Sequence, residues 1–185
     1  MSELYGNVMI DLETLGKRPG CAILSIGAVA FDPLRGLGPT FSVNLMEVPQ
    51  REAGLEVDAD TVLWWERQSR AAYEAARAAP VNPAEALRQF KEWWWTEAAG
   101  QKGCVWGNGA SFDAPILEAV FRAFGQTEPW GFMDQRCYRT LKQLAPHVKP
   151  DTKNTLAHNA LADAVFQAEH AVKLLKLLRA GATSL

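Results

Sequence analysis

The sequence is poor in cysteine, has no long hydrophobic run and carries no excess of positive charge. Its three cysteines, Cys21, Cys104 and Cys137, are far apart and form no C-x-x-C pair, so nothing suggests a zinc ribbon or a redox couple. Buried, reduced thiols are expected. The longest apolar-rich run, Cys21 to Phe31, is about half a membrane span, so no contact with a membrane is expected. The opening Met-Ser-Glu-Leu-Tyr lacks the basic and apolar regions of a secretory signal, and a soluble cytoplasmic protein is expected. With 19 Lys and Arg against 21 Asp and Glu, the net charge of -2 provides no global field to attract nucleic acid. What is present is an ordinary globular composition, 48% hydrophobic over 185 residues, with no repeat, low-complexity tract or linker. Residues 1–185 are expected to form a single domain.

From Asn7 to about Asn44 the pattern is that of strands, over Val8 to Glu13, Ala22 to Phe31 and Thr40 to Leu45. Turn signals stand at Arg18-Pro19-Gly20 and from Asp32-Pro33 to Gly38-Pro39. Three consecutive strands with short connections predict an antiparallel meander. Beyond Asp58 the composition turns helical, with helices predicted over Thr61–Ala79 and Pro83–Ala99. Gly103 to Gly107 reads as a short buried strand between glycines, followed by helices over Ala114–Phe124, Arg136–Leu144 and Leu161–Leu178. In the last of these, Leu161, Val165, Ala168, Val172, Leu175 and Leu178 have helical spacing and are expected to form the buried stripe. The result is an α/β fold with one mixed sheet, a meander extended by parallel strands, flanked by helices.

Three acidic segments carry the chemistry. Asp11-Leu12-Glu13 closes the first strand, and because strand side chains alternate, Asp11 and Glu13 share one face while Ile10 and Leu12 share the other. Adjacent carboxylates repel, and a cation between them relieves this; a solvated strand end is the competing explanation. Asp113 follows a strand and the turn Gly107-Asn108-Gly109 and opens a helix. There it either caps the helix or is held rigidly beside the carboxyl edge of the sheet. His158-Asn159-Ala160-Leu161-Ala162-Asp163 leads into the last helix, with Asp163 in or near the first turn. A spacing of five does not stack two side chains on one helical face, so His158 is expected on the preceding loop, as a surface residue or as a group approaching a site anchored by Asp163.

Taken in this order, the segments make the chain similar to the DEDDh branch of the DnaQ-like 3′-5′ exonucleases, which have a ribonuclease H-like fold. Asp11-Leu12-Glu13-Thr14 resembles the family's first motif, Asn108 to Asp113 the second, and His158 with Asp163 the third, over most of the chain. Ile23-Leu24-Ser25-Ile26-Gly27, Trp64-Trp65-Glu66-Arg67, Arg139-Thr140-Leu141 and His158-Asn159-Ala160-Leu161 resemble the exonuclease VIII and RNase AS-like group of bacteria and phages. Leu15 departs from the Gly that many members carry after the Glu-Thr pair, and Gly16 follows one step later.

The resemblance implies a 3′-5′ exonuclease on single-stranded RNA or DNA, RNA ahead of DNA, releasing 5′-mononucleotides. It implies two Mg2+ or Mn2+ ions on Asp11, Glu13, Asp113 and Asp163, with Asp11 shared, Glu13 and Asp163 on the water-activating ion and Asp113 on the second. Hard cations prefer such oxygen donors, which argues against zinc. His158 would be the general base, since imidazole titrates near neutral pH. Leu12, Thr14 and Leu15 would meet the terminal nucleotide, and Phe112 would either stack on a base or lie under its helix. Asn108 and Arg139 are further candidate contacts, Arg139 within a basic stretch that includes Arg136, Lys142, Lys149 and Lys153. Trp64-Trp65 and Trp93-Trp94-Trp95 cannot all face one way, so some are expected in the core and others at an interface, which would make a homodimer. Two other classes share these features: a hydrolase of short oligonucleotides with the same site, and a non-catalytic nucleic-acid-binding module, which would be expected to have lost an acid. The net negative charge is no obstacle to the leading reading, because two divalent ions would reverse its sign.

Overall fold

In a computed structural model of the chain, residues 4–154, 156 and 158–182 are described. Met1 to Glu3, part of the segment searched for a leader, lie outside them. Strands β1 (Asn7–Thr14), β2 (Ile23–Asp32) and β3 (Gly36–Asn44) form the antiparallel meander. β4 (Cys104–Gly107) lies parallel to β1, and β5 (Gln135–Cys137) parallel to β4, giving a mixed sheet of order β3-β2-β1-β4-β5. The helices are α1 (Glu47–Glu52), α2 (Ala59–Glu66), α3 (Arg70–Ala75), α4 (Pro83–Trp93), α5 (Asp113–Ala123), α6 (Tyr138–Leu144) and α7 (Ala160–Ala182). Among the described residues no helix is long and apolar enough to cross a membrane.

Side-chain alternation along β1 divides the core. Val8, Ile10 and Leu12 pack on one face with Leu87, Phe90 and Trp94 from the α4 region and Ile116 and Leu117 of α5. Met9 packs on the other with Trp106, with Tyr138 and Leu141 of α6, and with α7. Asp11 and Glu13 continue the Met9 face and so point toward α7.

The buried stripe of α7 differs from the predicted one. Ala168 and Val172 of that stripe are buried, with Ala160, Ala164, Ala171 and Leu174 beside them, whereas Leu161, Val165 and Leu175 are half-buried and Leu178 is exposed. Hydrophobicity favours the larger side chains, but close approach to the sheet requires small ones. Gly27 of β2 extends the same requirement: a Cβ there would lie 2.1 Å from the carbonyl carbon of Ala160 and 2.2 Å from the nitrogen of Leu161. Gly27 pairs with Asp11, so the start of α7 rests on bare backbone directly beside the first acid.

Other boundaries moved for local reasons. The helix predicted over Thr61–Ala79 is two helices, α2 and α3, broken between them, with Asp58 capping α2 by accepting the Asp60 N–H at 3.0 Å. β3 begins at Gly36 rather than Thr40, because Asp32 makes the turn by accepting from Leu34 at 2.8 Å and Arg35 at 3.1 Å. Gly38-Pro39 therefore lies inside an edge strand, where proline is tolerated. The short α1 and β5 were not predicted; α1 is fixed by buried Gln50, whose amide bonds the N–H and the carbonyl of Ile23 at 2.9 and 2.8 Å. After α4 the chain continues in a π-helical turn, Trp94–Ala98, rather than in an α-helix to Ala99. Trp65, Trp93 and Trp94 are buried, while Trp64 and Trp95 are exposed. All three cysteines are free, but only Cys21 is fully buried, Cys104 and Cys137 lying partly open at the ends of β4 and β5.

Candidate active site

Asp11 and Glu13 meet Asp163 from the first turn of α7, and ligand oxygens of the three lie within 4.8 Å of one another. Asp163 is placed by a well-capped helix start: Asn159 Oδ1 accepts the Ala162 N–H at 3.0 Å. The side-chain amide of Asn154 donates to Asp163 Oδ1. Asp113 sits outside that trio, yet its charge acts on both Asp11 and Glu13. It does not cap α5; Phe112 occupies the cap position, and the 2% exposed Asp113 accepts the Asn108 N–H on Oδ2 at 2.9 Å. Gly107 makes room for it, since a Cβ there would lie 2.9 Å from Asp113 Cβ and Oδ2.

The electrostatics follow from crowding acids under poor solvation. Burial, then Asp113, Asp163 and Glu13, hold the Asp11 carboxyl well above the usual range, opposed by a hydrogen bond from Gln167. Burial, with Asp163 and Asp113, pushes Glu13 up to about 7. Burial also raises Asp113 to about 6, against the N–H groups of Asn108, Leu12 and Asp113 itself and the charge of Arg139. Asp163 is raised by burial and held back by the N–H groups of His158 and Asn159, the charge of His158 and the Asn154 amide. Carboxylates that repel one another and offer hard oxygens, with no thiolate among them, fit Mg2+ or Mn2+.

His158 stands on the loop before α7 with a left-handed backbone, φ 65°. Its ring meets Trp64 edge to face, centroids 5.0 Å apart, with Trp65 at 6.1 Å. Beside it runs a cleft of about 280 Å3, lined by Leu12, Glu13, Thr14, Gly16, Lys17, Thr61, Trp64, Trp65 and Phe112. Trp65 Nε1 donates to the Thr14 carbonyl at 2.9 Å, which pins α2 to β1 and turns Trp64 outward as a wall.

The structure thus gathers Asp11, Glu13, Asp113, His158 and Asp163, and brings Leu12, Thr14 and Phe112 to the cleft. Leu15 is not there. It is 1% exposed in the core, and its N–H is held by Ala22 at 2.8 Å, because the register irregularity between Glu13 and Thr14 turns the chain inward. Thr14 reaches the cleft wall, but its hydroxyl donates to Gly16 at 2.6 Å. Asn108 Oδ1 is buried without a hydrogen-bond partner among the described residues. Of the basic stretch, Arg139 lies beside Gly109 and Asp113, whereas Arg136 bonds Met133 and Gln135 carbonyls and Lys142 covers the Tyr138 ring. Sequence reading missed Trp64 as a cleft wall, and Asn154 and Gln167 as partners of the acids. The adjacent tryptophans hinted at the first, and the side-chain amides gave no signal.

Residues 6–175 match the family described as 3′-5′ exoribonuclease Rv2179c-like domain. The chain belongs to this family. It is a 3′-5′ exonuclease, a hydrolase. This Rv2179c-like exonuclease is 29% identical over 180 residues to the 3′-5′ DNA exonuclease Cap18 of Escherichia coli, covering 88% of this chain and 87% of that one. Its fold is similar to that of E. coli Exonuclease I in complex with a 5cy-dT13 oligonucleotide, with TM-score 0.63, 16% identity and 96% of this chain covered. The chain spans 41% of that structure's length. The nuclease domain of 3′hExo, a DEDDh family member bound to rAMP, matches with TM-score 0.58 and 13% identity, covering 95% of this chain and 94% of that domain. These likenesses place the mixed sheet of the Rv2179c-like exonuclease in the ribonuclease H-like fold.

Proposed function

We propose that the exonuclease removes 5′-mononucleotides one at a time from the 3′ end of single-stranded nucleic acid, RNA ahead of DNA, with carboxylate-held divalent cations and His158 as general base. The observation that carries this is the meeting of three carboxylates within 4.8 Å beside a cleft walled by Trp64 and Phe112. Asp11, Glu13 and Asp163 would hold one Mg2+ or Mn2+, and Asp113 with Asp11 a second. Bound there, the cations supply charge neutralisation at phosphorus and at the leaving oxygen and lower the pKa of water.

The chain's own residues do the rest. Trp64 and Phe112 receive an unpaired base by its π-face, which grips any sequence, and duplex bases do not offer that face. Leu12 lines the same cleft, Lys17 lies exposed at it and Arg139 lies exposed near Asp113, where both can meet phosphates. The imidazole of His158 takes one proton from the attacking water as its oxygen bonds to phosphorus, the P–O3′ bond breaks, the 3′ oxygen takes a proton from solvent to become the hydroxyl of the shortened strand, and the phosphate leaves on the 5′ oxygen of the released nucleotide. RNA is put first on the family's description, while the E. coli relative is named for DNA.

Digestion of matched 5′-labelled RNA and DNA with Mg2+, Mn2+ or EDTA tests this. A ladder shortening from the 3′ end, dependent on the cation, is expected; cleavage that persists in EDTA would refute the metal reading. A trinucleotide run beside a long oligonucleotide distinguishes an enzyme confined to short substrates, which would clear the first and leave the second.

A further inference from the structure

Gln167 follows Asp163 by one turn of α7, and the buried positions nearest it in sequence, Ala164, Ala168 and Ala171, are alanines, with His170 as the other buried polar side chain of the helix. It is 5% exposed, so its amide has exchanged water for whatever it now bonds. Nε2 donates to Asp11 Oδ1 at 2.7 Å, while Oε1 is buried with no hydrogen-bond partner among the described residues. Flipping the amide would set Oε1 against an Asp11 oxygen, two acceptors face to face, so the bond to Asp11 fixes the amide even though the carbonyl oxygen stays unpaired.

Packing alone does not explain this residue. Alanine would continue the stripe, and methionine would fill the same volume without an orphaned acceptor. What glutamine adds over either is one N–H aimed at one oxygen of the acid that Glu13, Asp113 and Asp163 all act on. The type of donor is equally specific. A lysine would bring a charge that competes with a cation, a glutamate would add a fifth acid, and an amide holds Asp11 while leaving the site's charge unchanged.

We propose that Gln167 is a positioning residue for the cation site: it clamps Asp11 through Oδ1 so that Oδ2 and the second Oδ1 lone pair stay turned to the ion. This rests on the reading that Asp11 holds a divalent cation. Partners of this kind orient metal-binding side chains, and their loss typically costs about 10–100-fold in metal affinity.

The test is calorimetric titration of Mn2+ alone into metal-free wild type, Gln167→Met and Gln167→Ala, alongside melting in EDTA and the Mn2+ dependence of 3′-end shortening. Both variants are expected to bind Mn2+ about tenfold more weakly and to need correspondingly more for half-maximal cleavage, with KM for the oligonucleotide unchanged at saturating Mn2+. Gln167→Met is expected to melt no lower than wild type without metal, since the orphaned acceptor is gone. Unchanged Mn2+ affinity in both variants, with Gln167→Ala alone less stable, would overturn the proposal and leave a packing role. If Gln167→Met does not fold, Gln167→Ala carries the same comparison, because it continues the alanine stripe. A wild type that binds no Mn2+ would instead refute the metal reading itself.

Discussion

Removing the charge of Glu13 should stabilise the metal-free protein while disabling it. Glu13 is buried on the α7 face of β1, and its carboxyl is raised from 4.5 to about 7. A raised acid binds more protons folded than unfolded, so its favourable contribution is full below about pH 4.5 and is lost as pH rises through about 7. A shift of that size corresponds to about 3 kcal/mol at about pH 8, or roughly 6–12 °C in melting temperature for a chain of this length. His170 works in the opposite sense. Burial lowers its pKa, so its contribution is present above the ordinary histidine value and lost as pH falls, which makes the raw pH profile of wild type a mixture. Subtracting wild type from Glu13→Gln removes the His170 contribution and leaves that of Glu13, together with the relief of Asp11 from its charge. In EDTA the two should melt together near about pH 4.5 and diverge with rising pH, Glu13→Gln ending higher by the margin above. Adding Mn2+ should then raise wild type and leave the variant nearly unmoved, because a ligand that binds only the folded state stabilises it by mass action. Equal melting temperatures in EDTA at about pH 8, or a lower one for Glu13→Gln, would refute the claim that burial and repulsion raise the Glu13 carboxyl, and an Mn2+ response equal in the two would refute its relief by a cation.

Further outcomes follow from the same geometry. Asp163→Asn should abolish both Mn2+ binding by calorimetry and cleavage, whereas His158→Asn should bind Mn2+ normally and slow single-turnover cleavage by about 10²-fold or more. Trp64→Ala should raise KM for a single-stranded oligonucleotide by about tenfold, with Trp64→Phe retaining most of the affinity; an unchanged KM would place the base elsewhere. Gly27→Ala should cost about 3 kcal/mol or more in a denaturant melt and also lose cleavage, because its methyl group overlaps the backbone that carries α7 into place.

The sheet was legible because its signals are local and periodic. Period-two alternation alone sends Asp11 and Glu13 to one face, and the structure points both toward α7. The glycine-rich turn after β4 marks where Asp113 begins α5, but spacing could not say whether the carboxylate caps that helix or is held by Asn108 from below. What escaped the sequence depends on the distance between elements. The residues Leu161, Val165 and Leu175 look like a core face, but α7 starts so close to β2 that a Cβ on Gly27 would lie 2.1 Å from the Ala160 carbonyl carbon, and the buried positions at that end are mainly alanines. Leu15 looked like a contact for the terminal nucleotide because it follows the motif, and an irregularity of one residue in β1 buried it instead. Trp64 and Trp65 are indistinguishable in composition; the hydrogen bond to the Thr14 carbonyl goes with the buried Trp65, while Trp64 stays exposed on the cleft.

The same helix that closes one half of the core also carries Asp163 and Gln167, with His158 immediately before it. Whatever draws α7 down onto β2 therefore sets the distance between Asp163 and Asp11. The alanine stripe and Gly27 favour that approach, while the charges of Asp11, Glu13 and Asp163 oppose it once they ionise. In the metal-free protein near neutral pH the two effects act against each other, and a bound cation converts the opposition into attraction between the same elements. The net charge of -2 is thus a poor guide to what a polyanion meets. Asp11, Glu13, Asp113 and Asp163 account for more than all of it, so the remaining residues carry no net negative excess, and a cation held by these acids would remove the repulsion that a phosphate meets there.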